Sequence, residues 1–211
     1  MYHSVGDSGS LSITEREFQT QLAFLDARYR FVTLSEIVTK NDKESVALTF
    51  DDGYRDFYDT ALPILRENDI PATVFVVGSS LTEGKVPGFR KPTMTIDQLC
   101  ELADDPLITL GNHTQSHQDL TSLPQKEQKN EIIHGKRIIE DQVGVCVSQF
   151  AYPGGAYDDH SVSVVKDTHD CAVTVDKPWS SYSNHTLPRI HAHDAELVRW
   201  GLNSTSHLLH R

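Results

Sequence analysis

The stretch Val46-Ala47-Leu48-Thr49-Phe50-Asp51-Asp52-Gly53 joins a short apolar run to two adjacent aspartates and a glycine. An apolar run of this length, bounded by turn residues, predicts a buried β-strand over Val46–Phe50. Two neighbouring carboxylates at a strand end repel each other, so holding both there is costly unless a cation or a proton neutralises one. A polar turn explains the same residues equally well, since Asp and Gly are common in turns.

Short apolar runs and longer helical patterns alternate outward from this stretch along the chain. Strands separated by helices imply parallel βα units, and several in a row predict a barrel or an open doubly wound sheet. In both folds, catalytic groups gather at the C-terminal ends of the strands. The predicted strands are Arg30–Leu34, Val46–Phe50, Ala72–Val77, Ile108–Gly111, Gln149–Tyr152, Cys171–Val175 and Leu187–Ile190, with Met1–Val5 as a further strand. The predicted helices are one that follows the capping box of Thr14 and Glu17, Tyr54–Asn68 disturbed at Pro63, Thr95–Ala103, Glu127–Val143 stopped by Gly144, Asp158–Asp170 and Asp194–Leu202.

A pair of histidines, in His113-Thr114-Gln115-Ser116-His117, comes directly after the apolar run Ile108–Gly111. Two histidines at this spacing on a helical turn project to one side and can share a metal ion. The spacing is weak evidence in a chain with 11 histidines, and the position after a predicted strand strengthens it. With Asp52 the pair makes a three-ligand set typical of catalytic zinc, which leaves a position for water. Asp51 is then a neighbouring carboxylate that can take a proton from that water.

The composition is that of an ordinary globular protein, with 38% hydrophobic and 23% charged residues among 211. A net charge of −11 argues against nucleic acid or an anionic membrane as the main partner, because both would be repelled. No apolar run approaches the ~20 residues that span a bilayer. The three widely spaced cysteines are expected to be buried and unpaired, and together with a start at Met1 they favour a cytoplasmic protein. Export by a leader outside this sequence is the alternative.

Three motifs, in this order and spacing, resemble those of the NodB-like polysaccharide deacetylases: Thr49–Gly53, His113–His117 and Phe150-Ala151-Tyr152-Pro153-Gly154-Gly155. The resemblance extends from about Met1 to Ile190 and is closest in the first two motifs. It implies a distorted (β/α) barrel, with residues 1–211 as a single catalytic domain. That fold is consistent with the alternation of strands and helices.

The resemblance implies a role for each matching residue. Asp51 resembles the family's general base, and Asp52, His113 and His117 resemble its metal ligands. The backbone N–H of Gly154 corresponds to the oxyanion-hole donor of the third motif.

The general acid that protonates the departing amine is assigned through the opening Tyr2-His3-Ser4-Val5. This segment resembles a branch related to the poly-N-acetylglucosamine deacetylases, in which an N-terminal Tyr-His motif supplies the acid. By that resemblance His3 is the acid, and His191 or His193 is the alternative. The opposing interpretation is that residues near a terminus are often poorly ordered.

The sequence departs from the family pattern in the third motif. An arginine that pairs with the base in many members is replaced here by Ala151, and Gly154 stands where a tyrosine is common. Arg189 is a candidate replacement for the pairing arginine, and a surface position explains it as well. Tyr152 and Trp179 are candidate sugar-stacking residues, although core packing explains them as well. The stretch Gly78–Thr93 is expected to be the loop that shapes the cleft.

The predicted activity is removal of an acetyl or formyl group from the nitrogen of an amino sugar by a single divalent metal ion. Zinc is favoured, with cobalt, nickel or manganese as alternatives. Two substrate classes stay open. One is a polymer such as a poly-N-acetylhexosamine or peptidoglycan, and the other is an N-acylated amino sugar, an oligosaccharide or a lipid-linked saccharide used in building a surface polysaccharide. The start at Met1 and the unpaired cysteines favour the second class. The alternative function is a weakly active or inactive sugar-binding domain on the same fold, against which the intact Asp51 argues.

Overall fold

The structure, a computed structural model, describes residues 1–6, 11–40, 42–84, 86, 88–175 and 183–192. Within these ranges short strands alternate with α-helices. The strands are β1 (Ser4–Gly6), β2 (Ser12–Thr14), β3 (Arg30–Phe31), β4 (Ser45–Val46), β5 (Leu48–Phe50), β6 (Ala72–Val76), β7 (Ile108–Asn112), β8 (Gln149–Ala151) and β9 (Cys171–Val173). The helices are α1 (Glu15–Asp26), α2 (Leu34–Lys40), α3 (Leu62–Glu67), α4 (Gly78–Glu83), α5 (Ile96–Ala103), α6 (Gln125–Val143) and α7 (Asp159–Thr168).

The central sheet holds five parallel strands in the order β5-β6-β7-β8-β9, and β1-β2 and β3-β4 form two small parallel pairs. Beyond its two edges, Tyr2 pairs with Phe50 of β5, and Leu187 pairs with β9. The Ala192 N–H donates to the Met1 carbonyl at 2.9 Å, so the segment after Leu187 reaches back to the first residue. The sheet therefore curls into the distorted (β/α) barrel that the family resemblance implied, with all five strands ending on one side.

The ends of the strands that carry the two polar motifs were predicted closely, although the predicted strand Val46–Phe50 is divided between β4 and β5. β5 ends at Phe50 and β7 ends at Asn112, so Asp51 and His113 each follow a strand directly. Two other predictions were wrong in extent. The segment Arg30–Leu34 contributes only two residues to β3 before α2 begins. Leu187–Ile190 makes a single bridge to β9 instead of a full strand.

The helix ends show the capping patterns that the sequence predicted. The Thr14 hydroxyl accepts from the Glu17 N–H, and the Glu17 carboxylate accepts from the Thr14 N–H. Gly144 ends α6 in the left-handed conformation with φ 80°, which a residue without Cβ adopts at little cost. A π-helical turn, Phe57–Ala61, precedes Pro63 in the helix that was expected to be disturbed there.

The helical content was underestimated in two places. α2 and α4 were not predicted, and α4 occupies the first six residues of the stretch Gly78–Thr93 that was expected to be a loop. The cysteines are free as expected, although Cys146 is exposed and Cys100 is partly exposed, so only Cys171 is buried. The predicted helix Asp194–Leu202 lies outside the described residues. Among the described helices, none has the length and apolarity to cross a membrane.

An aromatic cluster anchors the first residues of the chain against the barrel. The Tyr2 ring stacks on Phe50 at 5.1 Å between centroids and meets Phe18 edge-on at the same distance. Phe57 completes the cluster, 4.7 Å from Phe50. The four rings are 5% exposed or less, so burial of their apolar surface holds the segment that contains His3 beside the end of β5.

Candidate active site

Asp52, His113 and His117 converge at the C-terminal end of the sheet. Asp52 follows β5, while the two histidines lie in the loop after β7, which is two strands away in the sheet. One carboxylate oxygen of Asp52, Oδ1, lies 3.6 Å from Nε2 of His113 and 3.3 Å from Nε2 of His117. One potential ligand atom from each residue falls within 4.8 Å of the others. The structure thus brings together the three residues proposed as ligands from the sequence.

The environment of these atoms fits a metal ion. Oδ1 of Asp52 is buried without a hydrogen-bond partner, an arrangement that is costly unless a further group contacts it. Nδ1 of His113 lies 2.7 Å from the Ala151 carbonyl, which can only accept, so the Nδ1 nitrogen carries the proton. The Nε2 lone pair of His113 therefore points toward Asp52, as in metal-binding histidines whose second nitrogen donates to a carbonyl.

The protonation states also suit a cation. Burial lowers the pKa of His113 to about 3, so its imidazole is neutral at pH 7 and can act as a ligand. Burial, with a further contribution from the neighbouring Asp51 charge, raises the pKa of Asp52 to about 7. A bound cation would offset that unfavourable environment by favouring the ionised carboxylate.

Three residues at this site adopt a backbone conformation that side chains other than glycine rarely take. The φ angles are 75° at Asp52, 67° at Thr114 and 60° at His117. Such left-handed conformations cost a non-glycine residue about 1 kcal/mol or more. The His117 N–H donates to the Thr114 hydroxyl at 3.0 Å, which helps hold the turn between the two histidines. Backbone strain is therefore concentrated where the ligands must point inward.

Asp51, the proposed base, is paired with Arg189 inside the barrel. Nη1 and Nη2 of Arg189 donate to the two carboxylate oxygens at 2.6 and 2.7 Å. Nε of Arg189 donates to the Thr174 carbonyl, and both charged side chains are almost fully buried. Burial alone would raise the pKa of Asp51, but the charge and hydrogen bonds of Arg189, together with the charges of His113 and His3, outweigh burial and hold that pKa well below its usual range. Arg189 thus occupies the pairing position that Ala151 left open in the sequence, and it is not a surface residue.

Removing the guanidinium should destabilise the fold because it leaves a buried carboxylate without its partner. We expect Arg189→Met to lower the free energy of unfolding by about 3 kcal/mol at pH 7. The loss should shrink in acid, because the unpaired Asp51 then has a raised pKa and is neutral once protonated. Urea denaturation at several pH values measures both effects.

A matched control for this variant is Arg55→Met. Arg55 pairs with Asp59 at 3.1 Å one helical turn away, and both side chains are about half exposed. We expect a change of no more than about 0.5 kcal/mol, since exposed pairs contribute little. Equal losses in the two variants would show that the buried pair with Asp51 has no special role in stability.

His3 lies in an anchored segment. The Tyr2 N–H donates to the Thr49 carbonyl at 2.8 Å, and the Asp51 N–H donates to the Tyr2 carbonyl at 2.9 Å. On the other side of His3, the hydroxyl of Ser4 hydrogen-bonds to Asp56. The His3 ring is stacked with that of His191 at 6.2 Å between centroids. The concern that a residue near the chain start would be poorly ordered is therefore not supported.

The protonation state of His3 differs from the one expected for a resting general acid. Burial lowers the pKa of His3 to about 4, although the Asp51 charge opposes the shift. The imidazole is therefore neutral at pH 7 in the protein without substrate. A proton that His3 delivers to a leaving group must be taken up during the reaction.

Gly154 lies in a 3-10 turn, Pro153–Gly155, directly after β8. Its φ is 61°, its surface is exposed, and a Cβ built on it would meet nothing within 4 Å. The N–H groups of the next two residues donate back into the turn. The turn therefore presents an accessible backbone at the same end of the sheet as the histidines.

Tyr152 was a candidate sugar-stacking residue, and the structure corrects this. Its side chain is fully buried, its hydroxyl donates to the His185 carbonyl at 3.0 Å, and its ring packs on Phe150 and Tyr157. A buried ring of this kind cannot present a face to a sugar, so the core-packing alternative is confirmed. Trp179, the other stacking candidate, and His193, an alternative general acid, lie outside the described residues.

Phe89, an aromatic residue that the sequence reasoning did not single out, contacts His117. Phe89 meets the His117 ring edge-on at 5.2 Å between centroids and is also 5.2 Å from the ring of Tyr54. Phe89 is partly exposed and lies in the part of Gly78–Thr93 that follows α4. The sequence analysis expected this stretch to shape the cleft, and Phe89 is its one aromatic residue. Phe89 could therefore have been identified from the sequence.

Comparison with protein families decides which family has this site. The family model described as polysaccharide deacetylase matches residues 39–173, well over half of the chain. The chain belongs to the polysaccharide deacetylase family. The match contains Asp51, Asp52, His113 and His117, while His3 and Arg189 lie outside it.

Two relatives of this family member are named as deacetylases. YxkH of Bacillus subtilis (strain 168), named for the same family, is 30% identical over 175 residues, which cover 80% of this chain and 60% of that protein. The poly-beta-1,6-N-acetyl-D-glucosamine N-deacetylase of Staphylococcus epidermidis is 26% identical over 204 residues, which cover 85% of this chain and 67% of the relative. The chain thus spans about three fifths of the length of the Bacillus relative.

A solved structure supports the same fold over nearly the whole length. The deacetylase PplD of Streptococcus pyogenes, solved in complex with acetate, superposes with a TM-score of 0.77 and 26% sequence identity. The superposition covers 92% of this chain and 91% of that one. The barrel of this polysaccharide deacetylase family member is therefore similar to that of a solved deacetylase over nearly its whole length.

Proposed function

We propose that the chain is a metal-dependent carbohydrate N-deacetylase that hydrolyses the amide of an N-acetylated amino sugar. The observation that carries the proposal is the convergence of Asp52, His113 and His117 around an unpaired buried oxygen, with Asp51 next to it in the chain. Membership of the polysaccharide deacetylase family supports the reaction class. The Asp51–Arg189 pair argues against the alternative of a pure sugar-binding domain, which needs no base.

Asp52, His113 and His117 would hold a divalent cation, for which we propose zinc. When bound, the cation makes water acidic enough to ionise near neutral pH and polarises the acyl carbonyl. Asp51 takes the proton from the attacking water, and Arg189 holds its carboxylate in place. The backbone N–H of Gly154 stabilises the negative oxygen that forms on the carbonyl.

The carbon–nitrogen bond then breaks as the nitrogen receives a proton. We assign its delivery to His3, which is neutral at rest and must first take up a proton released by the water. The negative charge of Asp51 favours the protonated form of His3, so His3 takes up a proton more readily while Asp51 is ionised. The products are a free carboxylic acid and an amine.

For the substrate we propose a saccharide that contains N-acetylglucosamine. The name of the Staphylococcus epidermidis relative, a deacetylase of the β-1,6-linked polymer, supports this sugar. The net charge of −11 suits a neutral substrate that becomes cationic on deacetylation. The formyl alternative, a lipid-linked precursor as substrate and the cytoplasmic location remain predictions.

The proposal is tested by measuring acetate and formate release from a panel of N-acylated sugars. The panel should hold β-1,6- and β-1,4-linked N-acetylglucosamine oligomers, the monosaccharide and an N-formyl analogue. We expect acetate release, with one new amine for each acetate, and the fastest turnover on an oligomer. A protein that binds zinc and these sugars yet releases neither acid would be a binding domain.

Phe89 offers a test of where the sugar binds. We expect Phe89→Ala to raise KM for the oligomer about three- to tenfold with little change in kcat, because an aromatic face beside His117 can pack against the apolar face of a sugar. Steady-state kinetics measure the split. The control is Phe24→Ala, a partly buried aromatic of α1 whose ring packs against Arg28. Unchanged KM in Phe89→Ala would place the sugar elsewhere.

A further inference from the structure

One face of α6 contacts the loop that carries both histidine ligands. Glu131 on this face is 8% exposed. Its Oε2 accepts from the Ser116 N–H at 2.8 Å, and its Oε1 accepts from the Ser116 hydroxyl at 2.7 Å. Its backbone carbonyl also accepts from the Gln115 N–H at 2.9 Å. A single buried glutamate thus holds two consecutive residues of the loop immediately before His117.

The same loop is pressed against two helices. Gly135, one helical turn after Glu131, approaches so closely that a Cβ on it would lie 2.4 Å from the Thr114 carbonyl carbon. The first N–H groups of α4, where Gly78 lies against Gly135, donate to the Thr114 and Gln115 carbonyls at 3.0 and 2.7 Å. The loop is therefore held along its length, and Glu131 supplies the side-chain bonds to Ser116, the residue directly before His117.

His117 needs such support more than His113 does. The side chain of His113 is 2% exposed and bonds to the Ala151 carbonyl, whereas that of His117 is 28% exposed. His117 also holds a left-handed backbone conformation, which is unfavourable for a residue with a side chain. Packing therefore restrains the imidazole of His117 less than that of His113, so the hydrogen bonds that hold the loop 113–117 carry more of its restraint.

We propose that Glu131 is a positioning residue that holds the loop 113–117 through Ser116 and thereby sets the metal affinity of the site. This inference rests on the proposed metal site, in which His117 is a ligand. Glu131 contacts neither the imidazole nitrogens nor Asp52 in the bonds described above, so it acts through the backbone of its neighbour. Groups that orient a ligand in this way commonly change metal affinity by 10- to 100-fold when they are removed.

The test is zinc titration of the metal-stripped full chain by calorimetry, with folding checked by circular dichroism. We expect Glu131→Gln to bind zinc 10- to 100-fold more weakly, since an amide can accept at only one of its two ends. The matched control is Glu127→Gln, which makes the same charge change on the exposed face of the same helix. It should bind zinc as the wild type does.

A second variant, Ser116→Ala, distinguishes an effect of the lost hydrogen bond from an effect of the lost Glu131 charge. It also replaces Glu131→Gln as the test if that variant does not fold. It removes one bond to Glu131 without changing any charge, and we expect a severalfold loss of zinc affinity. Wild-type affinity in Glu131→Gln, or a loss there with none in Ser116→Ala, would overturn the positioning role. Both affinities are read without substrate, so wild-type protein that binds zinc but releases no acetate would contradict the proposed function alone.

Discussion

Asp51→Asn is expected to lower kcat for acetate release about a thousandfold while the protein still binds zinc. The amide cannot take a proton from water, and general-base catalysis by a placed carboxylate is worth about 100- to 10,000-fold. Asp51 is not one of the three proposed ligands, so the substitution leaves all three in place. Zinc content and acetate release, measured on the same preparation, check both halves of the prediction.

Asp51→Asn also removes the carboxylate that pairs with Arg189. The buried guanidinium would keep one acceptor in place of a carboxylate, so the variant should be less stable as well as inactive. The double variant Asp51→Asn/Arg189→Met removes both charges and is the control for this effect. It should recover part of the stability and none of the activity. Full activity in the single variant would refute Asp51 as the base.

His113→Ala is expected to abolish zinc binding and activity together. Two remaining ligands form an incomplete set, so we expect zinc affinity to fall by at least about a thousandfold. The change also leaves the Ala151 carbonyl without the Nδ1–H that donates to it, at a cost of about 1–3 kcal/mol. Zinc titration and thermal unfolding separate the loss of metal from the loss of stability.

His134→Ala is the control for this second variant. His134 lies on the exposed face of α6, and its removal should leave zinc affinity and turnover unchanged. Stoichiometric zinc in His113→Ala, at the affinity of the wild type, would show that the metal binds elsewhere or with other ligands.

The residues of this site that the sequence identified are those that lie next to a strand end. Asp51 and Asp52 follow β5, and His113 follows β7, so strand prediction and local chemistry sufficed to place them together. The alternation of strands and helices predicted parallel βα units in a barrel or an open sheet, and the family resemblance favoured the barrel. Short-range patterns carry this information because each strand and its loop are contiguous.

Arg189 was left undecided because its partner is 138 residues away in the chain. Local sequence shows a charged residue near the end of a weak strand, and only the curling of the sheet brings it to Asp51. The prediction that Tyr152 stacks on a sugar was wrong because local sequence does not show which way a ring faces. An aromatic residue beside a catalytic motif can face the cleft or the core, and the packing of Phe150 and Tyr157 determines which.

Glu131 and the helix α4 were missed for different reasons. α4 has six residues, fewer than two turns, which is too short to show a helical period. Glu131 did carry a signal, since it lies on the buried stripe of α6 that also includes Ile132, Gly135 and Ile139. A charged residue on an inward stripe needs a partner, and its partner could not be inferred without the position of the loop.

The decisive measurement is acetate release from a β-1,6-linked N-acetylglucosamine oligomer by one preparation before and after its metal is removed and restored. We expect the stripped protein to be inactive and one equivalent of zinc to restore turnover, because Asp52, His113 and His117 supply three ligands and leave a position for water. Release at the full rate by protein shown to be free of metal would contradict metal-dependent deacetylation at this site.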